Sequence, residues 1–291
     1  MKGHRMSVLN RLRPVLLLAA IVALAPAVLG ADPGAAPATP ASPAASSGIT
    51  DRLFLAFAQD AAIVQSQWWE GQLEFADGSS GIPVDVLLGR GVVAFRPVKS
   101  LEVGGRVGFG QSSASGTAPD GTGATDLDVY GKWVFSNALE NTDFTAGLLC
   151  TVPTGDDTAG LGFNAFSTQA FGGVRFRMEN VVIGGHVGFR FNGDGKFQGV
   201  DLHGKTSFEL GGSALFPLAN QVSFVGEIQY ETARFESPFP GSSLGSDAAA
   251  QVLAGVNWTA FPRGTFRAAI GGGLTDGSPD FRVILGYAFH F

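Results

Sequence analysis

Residues 281–291, FRVILGYAFHF, decide the fold. Phe281, Val283, Leu285, Tyr287, Phe289 and Phe291 fall on one face of an extended chain, and Arg282, Ile284, Gly286, Ala288 and His290 fall on the other. Side chains alternate across a strand, so a period of two sustained this long predicts a β-strand rather than a helix. The same rhythm runs through Val181–Asn192, where Ile183, Val187, Phe189 and Phe191 oppose Gly184, His186, Gly188 and Arg190. It recurs in Leu101–Gly110, where Leu101, Val103, Val107 and Phe109 oppose Glu102 and Arg106. In Val222–Glu231, Val222, Phe224, Ile228 and Tyr230 oppose Glu227, Gln229 and Glu231.

Working outward from these four, about twelve segments of this kind begin near Trp68, Val84, Leu101, Thr125, Asp143, Ala165, Val181, Lys205, Val222, Ala248, Thr265 and Asp280. Each approaches the ~9–11 residues that a tilted strand needs to cross a bilayer. The connections alternate. Those after even-numbered strands are tight, as at Glu179-Asn180 and Phe261–Gly264. Those after odd-numbered strands are mostly longer and polar, at 76–83, 112–124, 153–164, 193–204 and 233–247, with a short 276–279 turn last. Aromatic residues gather at both strand ends. Phe95, Trp133, Phe144, Phe176, Phe216, Trp258 and Phe289 sit by the tight turns, and Phe75, Phe109, Phe166, Phe189, Tyr230 and Phe281 by the long loops. Loop alternation and two aromatic girdles together predict a closed, antiparallel, up-and-down transmembrane β-barrel of about twelve strands over residues 65–291.

Composition agrees. Of 291 residues, 15% are charged, 42 are Gly and 24 are Phe, against roughly 25% charged and 7% Gly in soluble proteins. No basic run gives nucleic acid a footprint. The single cysteine, Cys150, excludes an intramolecular disulfide or a multi-thiolate zinc site and is expected to be a small hydrophobe.

The first 30 residues read as a cleaved secretory signal. Lys2, Arg5, Arg11 and Arg13 precede the apolar Pro14–Leu24, and small residues follow. The apolar stretch is short for a signal anchor, the competing reading. Removing it shifts the formal charge from −6 to −10, because four basic residues leave. Residues 31–47 are an Ala/Pro/Ser-rich linker. Residues 48–63 suit an amphipathic helix over 50–62, or an extra strand. The segment either lies in the periplasm or enters the barrel mouth; the apolar Leu53, Phe54, Leu55 and Phe57 require burial, and a plug at the periplasmic end of the lumen supplies it.

Two motifs carry resemblances. The C-terminal Gly286-Tyr287-Ala288-Phe289-His290-Phe291 resembles the signal by which bacterial outer-membrane barrels are recognised by their assembly machinery, with Ile284 where that pattern usually has a polar residue. Val152-Pro153-Thr154-Gly155-Asp156 resembles the P-T-G-D turn of the outer-membrane proteins grouped with the meta-pathway of phenol degradation, which are thought to be channels or transporters. That resemblance implies an apolar or aromatic solute. Read from the residues alone, the turn is a Pro-Gly turn whose Asp caps backbone donors.

Opposite the greasy face lie Glu102, Arg106, Asp128, Lys132, Arg175, Arg177, His186, Arg190, Glu209, Glu227, Gln229, Arg267 and Arg282, the expected lumen lining, together with Glu70, Glu74, Asp126, Glu231 and His290. They either pair off in a closed lumen or line a narrow path that selects solutes. Inward glycines such as Gly104, Gly108, Gly188 and Gly211 favour a path by leaving space. No Ser/His/Asp spacing supports catalysis, and the Asp156-Asp157, Asp194 and Asp201 turns lack calcium-loop spacing. The expectation is therefore an outer-membrane channel or transporter for a small solute, without cofactor or enzymatic activity. A closed surface-binding barrel is the alternative, and a membrane-embedded lipid hydrolase ranks third.

Overall fold

In the computed structural model, residues 52–78, 84–114, 120–219, 221–238 and 245–290 are described. The proposed signal and linker, residues 48–51 and Phe291 lie outside them. Among the described residues there are fifteen strands: β1 (Gln67–Asp77), β2 (Val84–Val98), β3 (Leu101–Ala114), β4 (Gly121–Ala124), β5 (Leu127–Leu139), β6 (Thr142–Val152), β7 (Ser167–Arg177), β8 (Val182–Asn192), β9 (Gly195–Phe197), β10 (Val200–Leu202), β11 (Thr206–Ala219), β12 (Val222–Glu231), β13 (Ala249–Phe261), β14 (Gly264–Gly273) and β15 (Phe281–His290). β9 and β10 form a separate hairpin inside a long loop. β4 and β5 pair successively with β3 and make one strand broken at Thr125-Asp126. The remainder form one antiparallel sheet in sequential order, closed where β1 pairs with β15 from Trp68↔His290 to Asp77↔Phe281. The architecture is a closed twelve-stranded up-and-down barrel, and closure leaves no unpaired edge.

The side chains follow the alternation. Leu73, Leu87, Leu148, Ile183, Val187, Leu210, Ile228 and Ile270 are exposed along the outer face, as a lipid-facing band requires. At the short-turn end a ladder of rings crosses three strands: Trp258 to Phe266 at 5.6 Å, Phe266 to Tyr287 at 4.6 Å, and Tyr287 to Phe289 at 4.7 Å between centroids. Cys150 has outward parity on β6, half-buried beside Thr168. The tight turns use Asn where the backbone must turn left-handed, at Asn137 (φ 52°) and Asn141 (φ 56°). Beside them Arg177, at the last position of β7, bonds Asn137 and Asp143. Arg177 thus has inward parity but braces the rim turn.

Residues 52–64 correct the expectation of a helix. They form bends and turns, with a single helix-like bond from the Asp60 amide to the Ala56 carbonyl at 2.9 Å. The reason is a competing acceptor. The Glu227 carboxylate takes the successive amides of Phe54, Leu55 and Ala56 at 2.6, 2.9 and 3.3 Å, so they cannot serve a helical ladder. The segment lies within the barrel, bonded to side chains of β3, β5, β7, β11, β12, β13 and β14.

Candidate functional site: the barrel interior

Inward parity puts the polar residues in two layers. The first, toward the short-turn end, grips residues 52–64. Arg52 and Glu102, both fully buried, form a two-point ion pair at 2.7 and 3.2 Å. Glu102 also accepts the Tyr130 hydroxyl at 2.7 Å and the Val64 amide at 2.8 Å. Lys132 donates to the Asp60 carbonyl at 2.6 Å and stands 3.4 Å from Glu102. Arg175 pairs with the Asp60 carboxylate at 3.7 Å. Arg267 spends its fork on Glu70 (2.6 Å), Asn257 (3.1 Å) and the carbonyls of Arg52 and Leu53 (2.7 and 3.0 Å).

Apolar packing completes this layer. Phe57, Ala58 and Val64 meet Trp68, Val92, Tyr130, Leu149 and Phe171 on one side. Leu53, Phe54 and Ala56 meet Leu215, Val225, Leu253, Ala269 and Ile284 on the other. The inner face is therefore not uniformly hydrophilic. Where it seats residues 52–64, it is built like a protein core.

The second layer surrounds a cavity of about 380 Å³ between residues 52–64 and the long loops. Of the residues expected from the sequence, Glu74, Arg106, Asp128, Arg190, Glu209, Gln229, Glu231 and Arg282 line it. Arg106 pairs with Asp128 at 2.7 Å. His186 stands behind the cavity, 3.0 Å from Glu209, which also accepts Gln169 at 2.9 Å and Gln59 at 3.2 Å. The long loops cover the cavity with an aromatic cluster: Phe163 packs tilted against Phe197 at 5.3 Å and against Phe235 at 5.2 Å between centroids, with Leu202, Ala165 and Val84 packed around them.

The inward glycines do not leave open space, which corrects the sequence expectation. A Cβ on Gly104 would strike the Tyr130 hydroxyl, on Gly188 the Gln169 amide, and on Gly211 the His186 ring. On Gly108 it would press on Arg90 and Thr125. These glycines are seats for large interior side chains.

Alternation overlooked Arg52, Arg90 and Arg234. Arg90 has inward parity on β2, but Val84, Val86, Leu88 and Val92 make both faces of that strand apolar and hide the rhythm. Arg234 lies beyond β12 in a loop that folds inward, where no period applies.

The Pro153–Asp156 turn fastens two neighbouring loops. The Asp126 carboxylate, raised in pKa by burial, accepts the Gly155 and Phe163 amides at 2.9 and 3.0 Å. Asp156 accepts the Thr158 hydroxyl and the Ala159 amide, which hold its pKa low. Among the described residues no cluster of His, Cys, Asp and Glu could hold a metal ion.

No protein-family model matches the chain, and no curated protein matches its sequence. Solved structures do match its fold. An outer-membrane channel from Pseudomonas putida F1 superposes with a TM-score of 0.67 at 15% identity, over 80% of this chain and 98% of that one. The KdgM porin, solved with disordered oligogalacturonate, gives 0.52 at 10% identity over 77% and 99%. The NanC porin gives 0.51 at 8% identity over 78% and 100%. At these identities the likeness establishes the fold alone, a closed antiparallel up-and-down β-barrel.

Proposed function

We propose that the protein resides in the bacterial outer membrane, as a channel or transporter giving a small solute passive or facilitated passage. The observation that carries this reading is the cavity of about 380 Å³ held inside the barrel, bounded by residues 52–64 and by the long loops. A barrel serving only as a scaffold has no need of an interior chamber walled by both apolar and charged groups. Its size falls in the ~300–1,000 Å³ range of small-molecule sites. The resemblance of Pro153–Asp156 to the meta-pathway family favours an apolar or aromatic body for the solute. The lumen-facing residues, among them Arg106, Asp128, Arg190, Gln229 and Arg282, select what passes. Residues 48–63 act as the plug. Export by the signal peptide and insertion by the assembly machinery, through Gly286, Tyr287, Phe289 and Phe291, complete the reading.

Deleting residues 48–63 tests it. Single-channel conductance in planar bilayers rises if these residues obstruct the path, and an unchanged conductance removes the plug. Liposome swelling addresses the alternative of a closed, surface-binding barrel. Swelling with small solutes supports the channel, and its absence in both forms supports the closed barrel.

A further inference from the structure

The wall of the interior cavity is chemically divided. Phe54, Leu55, Phe57 and Ala58 form an apolar floor. Above it converge Arg90, Arg106, Arg190, Arg234 and Arg282, from β2, β3, β8, the loop after β12, and β15. Five carboxylates stand among them. Glu74 serves Arg90 at 3.0 Å and Arg282 at 3.3 Å. Glu231 serves Arg234 at 2.7 Å and Arg190 at 3.3 Å. Asp128 serves Arg106, and Glu209, 3.7 Å from Arg190, is held by His186, Gln169 and Gln59. Asp247 adds one carboxylate from the loop side.

Formal charge on this wall therefore balances, but hydrogen-bonding capacity does not. Each guanidinium presents five N–H donors and no acceptor. Five of them exceed what these carboxylates accept. Part of that capacity opens onto the cavity: the side chains of Arg106, Arg234, Arg90 and Arg282, which line it, stay 38, 36, 23 and 20% exposed.

We propose that the cavity binds a small amphiphilic carboxylic acid, its carboxylate on the arginines and its apolar body on the Phe54–Ala58 floor. A planar carboxylate matches the guanidinium fork and supplies the missing acceptors. A neutral apolar solute would bury those donors unsatisfied, and a small hydrophilic anion would leave the floor uncovered. This identity rests on the channel reading above, which leaves the head group open.

The test compares two probes of one shape, 3-phenylpropionate and its neutral amide, 3-phenylpropanamide. Equilibrium binding to the full-length protein in detergent is measured by calorimetry, and the same preparation is reconstituted for conductance. The acid is expected to bind at least about tenfold more tightly, since its hydrogen bonds are charge-assisted. Arg190→Gln and Arg282→Gln should each bring the two affinities together, with heat-dependent gel mobility reporting that the barrel is folded. Equal affinities in the unmodified protein, a preference for the amide, or no binding of either probe overturns the proposal without recourse to any variant. Conductance with no preference for the acid sinks this inference and leaves the channel standing. Preference for the acid in a barrel that never conducts does the reverse.

Discussion

Replacing Glu102 by Gln puts the hold on residues 52–64 to a quantitative test. Glu102 receives Arg52 twice, the Tyr130 hydroxyl and the Val64 amide, with Lys132 at 3.4 Å. Glutamine keeps the volume and one acceptor oxygen but removes the charge, leaving Arg52 and Lys132 facing each other. Asp60, the other nearby carboxylate, is already engaged with Arg175. Removing one partner of a buried pair costs about 3–5 kcal/mol. The lower end suits a site bordering a polar cavity, and about 3 kcal/mol multiplies the displaced population roughly 100-fold, at about 1.4 kcal/mol per tenfold. The barrel should persist, because its strand ladders do not depend on Glu102. In planar bilayers Glu102→Gln should show brief openings at the conductance of the 48–63 deletion, about 100 times as often as the unmodified protein. Protease should cut within 52–64 correspondingly faster. A variant with unchanged opening frequency and unchanged protection would refute the argument that this ion pair is what holds the segment.

Glu227→Gln weakens the charge-assisted grip on three successive amides, and such bonds contribute about 1.5–3 kcal/mol. Hydrogen exchange at Phe54, Leu55 and Ala56 should therefore accelerate while the strands stay protected. Gly211→Ala drives a methyl into the His186 ring. Overpacking of this kind costs about 1–3 kcal/mol, and the temperature at which gel mobility changes should fall. Leu148→Arg puts a charge mid-strand on the outer face, where Leu148 is 55% exposed. The penalty near the bilayer midplane is about 2–4 kcal/mol, read as a lower folded fraction in lipid titrations. The contacts that lower the Asp156 pKa stabilise the 153–163 loop at neutral pH and are lost as pH falls through that lowered value. Amide exchange at Ala159 should therefore rise only in acid, below the ordinary carboxylate range.

The barrel was legible because a strand between lipid and lumen must alternate, and 281–291, 182–192 and 222–231 do so with little interruption. Strand starts could be placed within a few residues, since tight turns leave little room for drift. The polar interior was legible by parity, and Glu102, Lys132, Arg190, Glu209 and Arg267 are all buried inward. What parity could not convey was the division of labour among them. Whether a residue grips residues 52–64 or borders the cavity depends on contacts between elements far apart in the chain, such as Arg52 with Glu102 and Arg267 with Glu70. The helix expectation failed for the same reason: the apolar spacing of 53–57 is real, but the acceptor that claims its amides lies on β12. Glycine was misread because a missing Cβ looks like space in a sequence, although it serves as a socket once a neighbouring strand delivers Tyr130, Gln169 or His186.

Residues 52–64 hydrogen-bond to side chains of seven strands spread around the circumference, so they act as the hub of a wheel with polar spokes. A cylinder one sheet thick flattens readily under lateral pressure, and internal struts resist ovalisation. Excising the hub should therefore change mechanics as well as bore. The emptied barrel should breathe in cross-section, and its current should fluctuate with bilayer tension where the intact protein's stays steady.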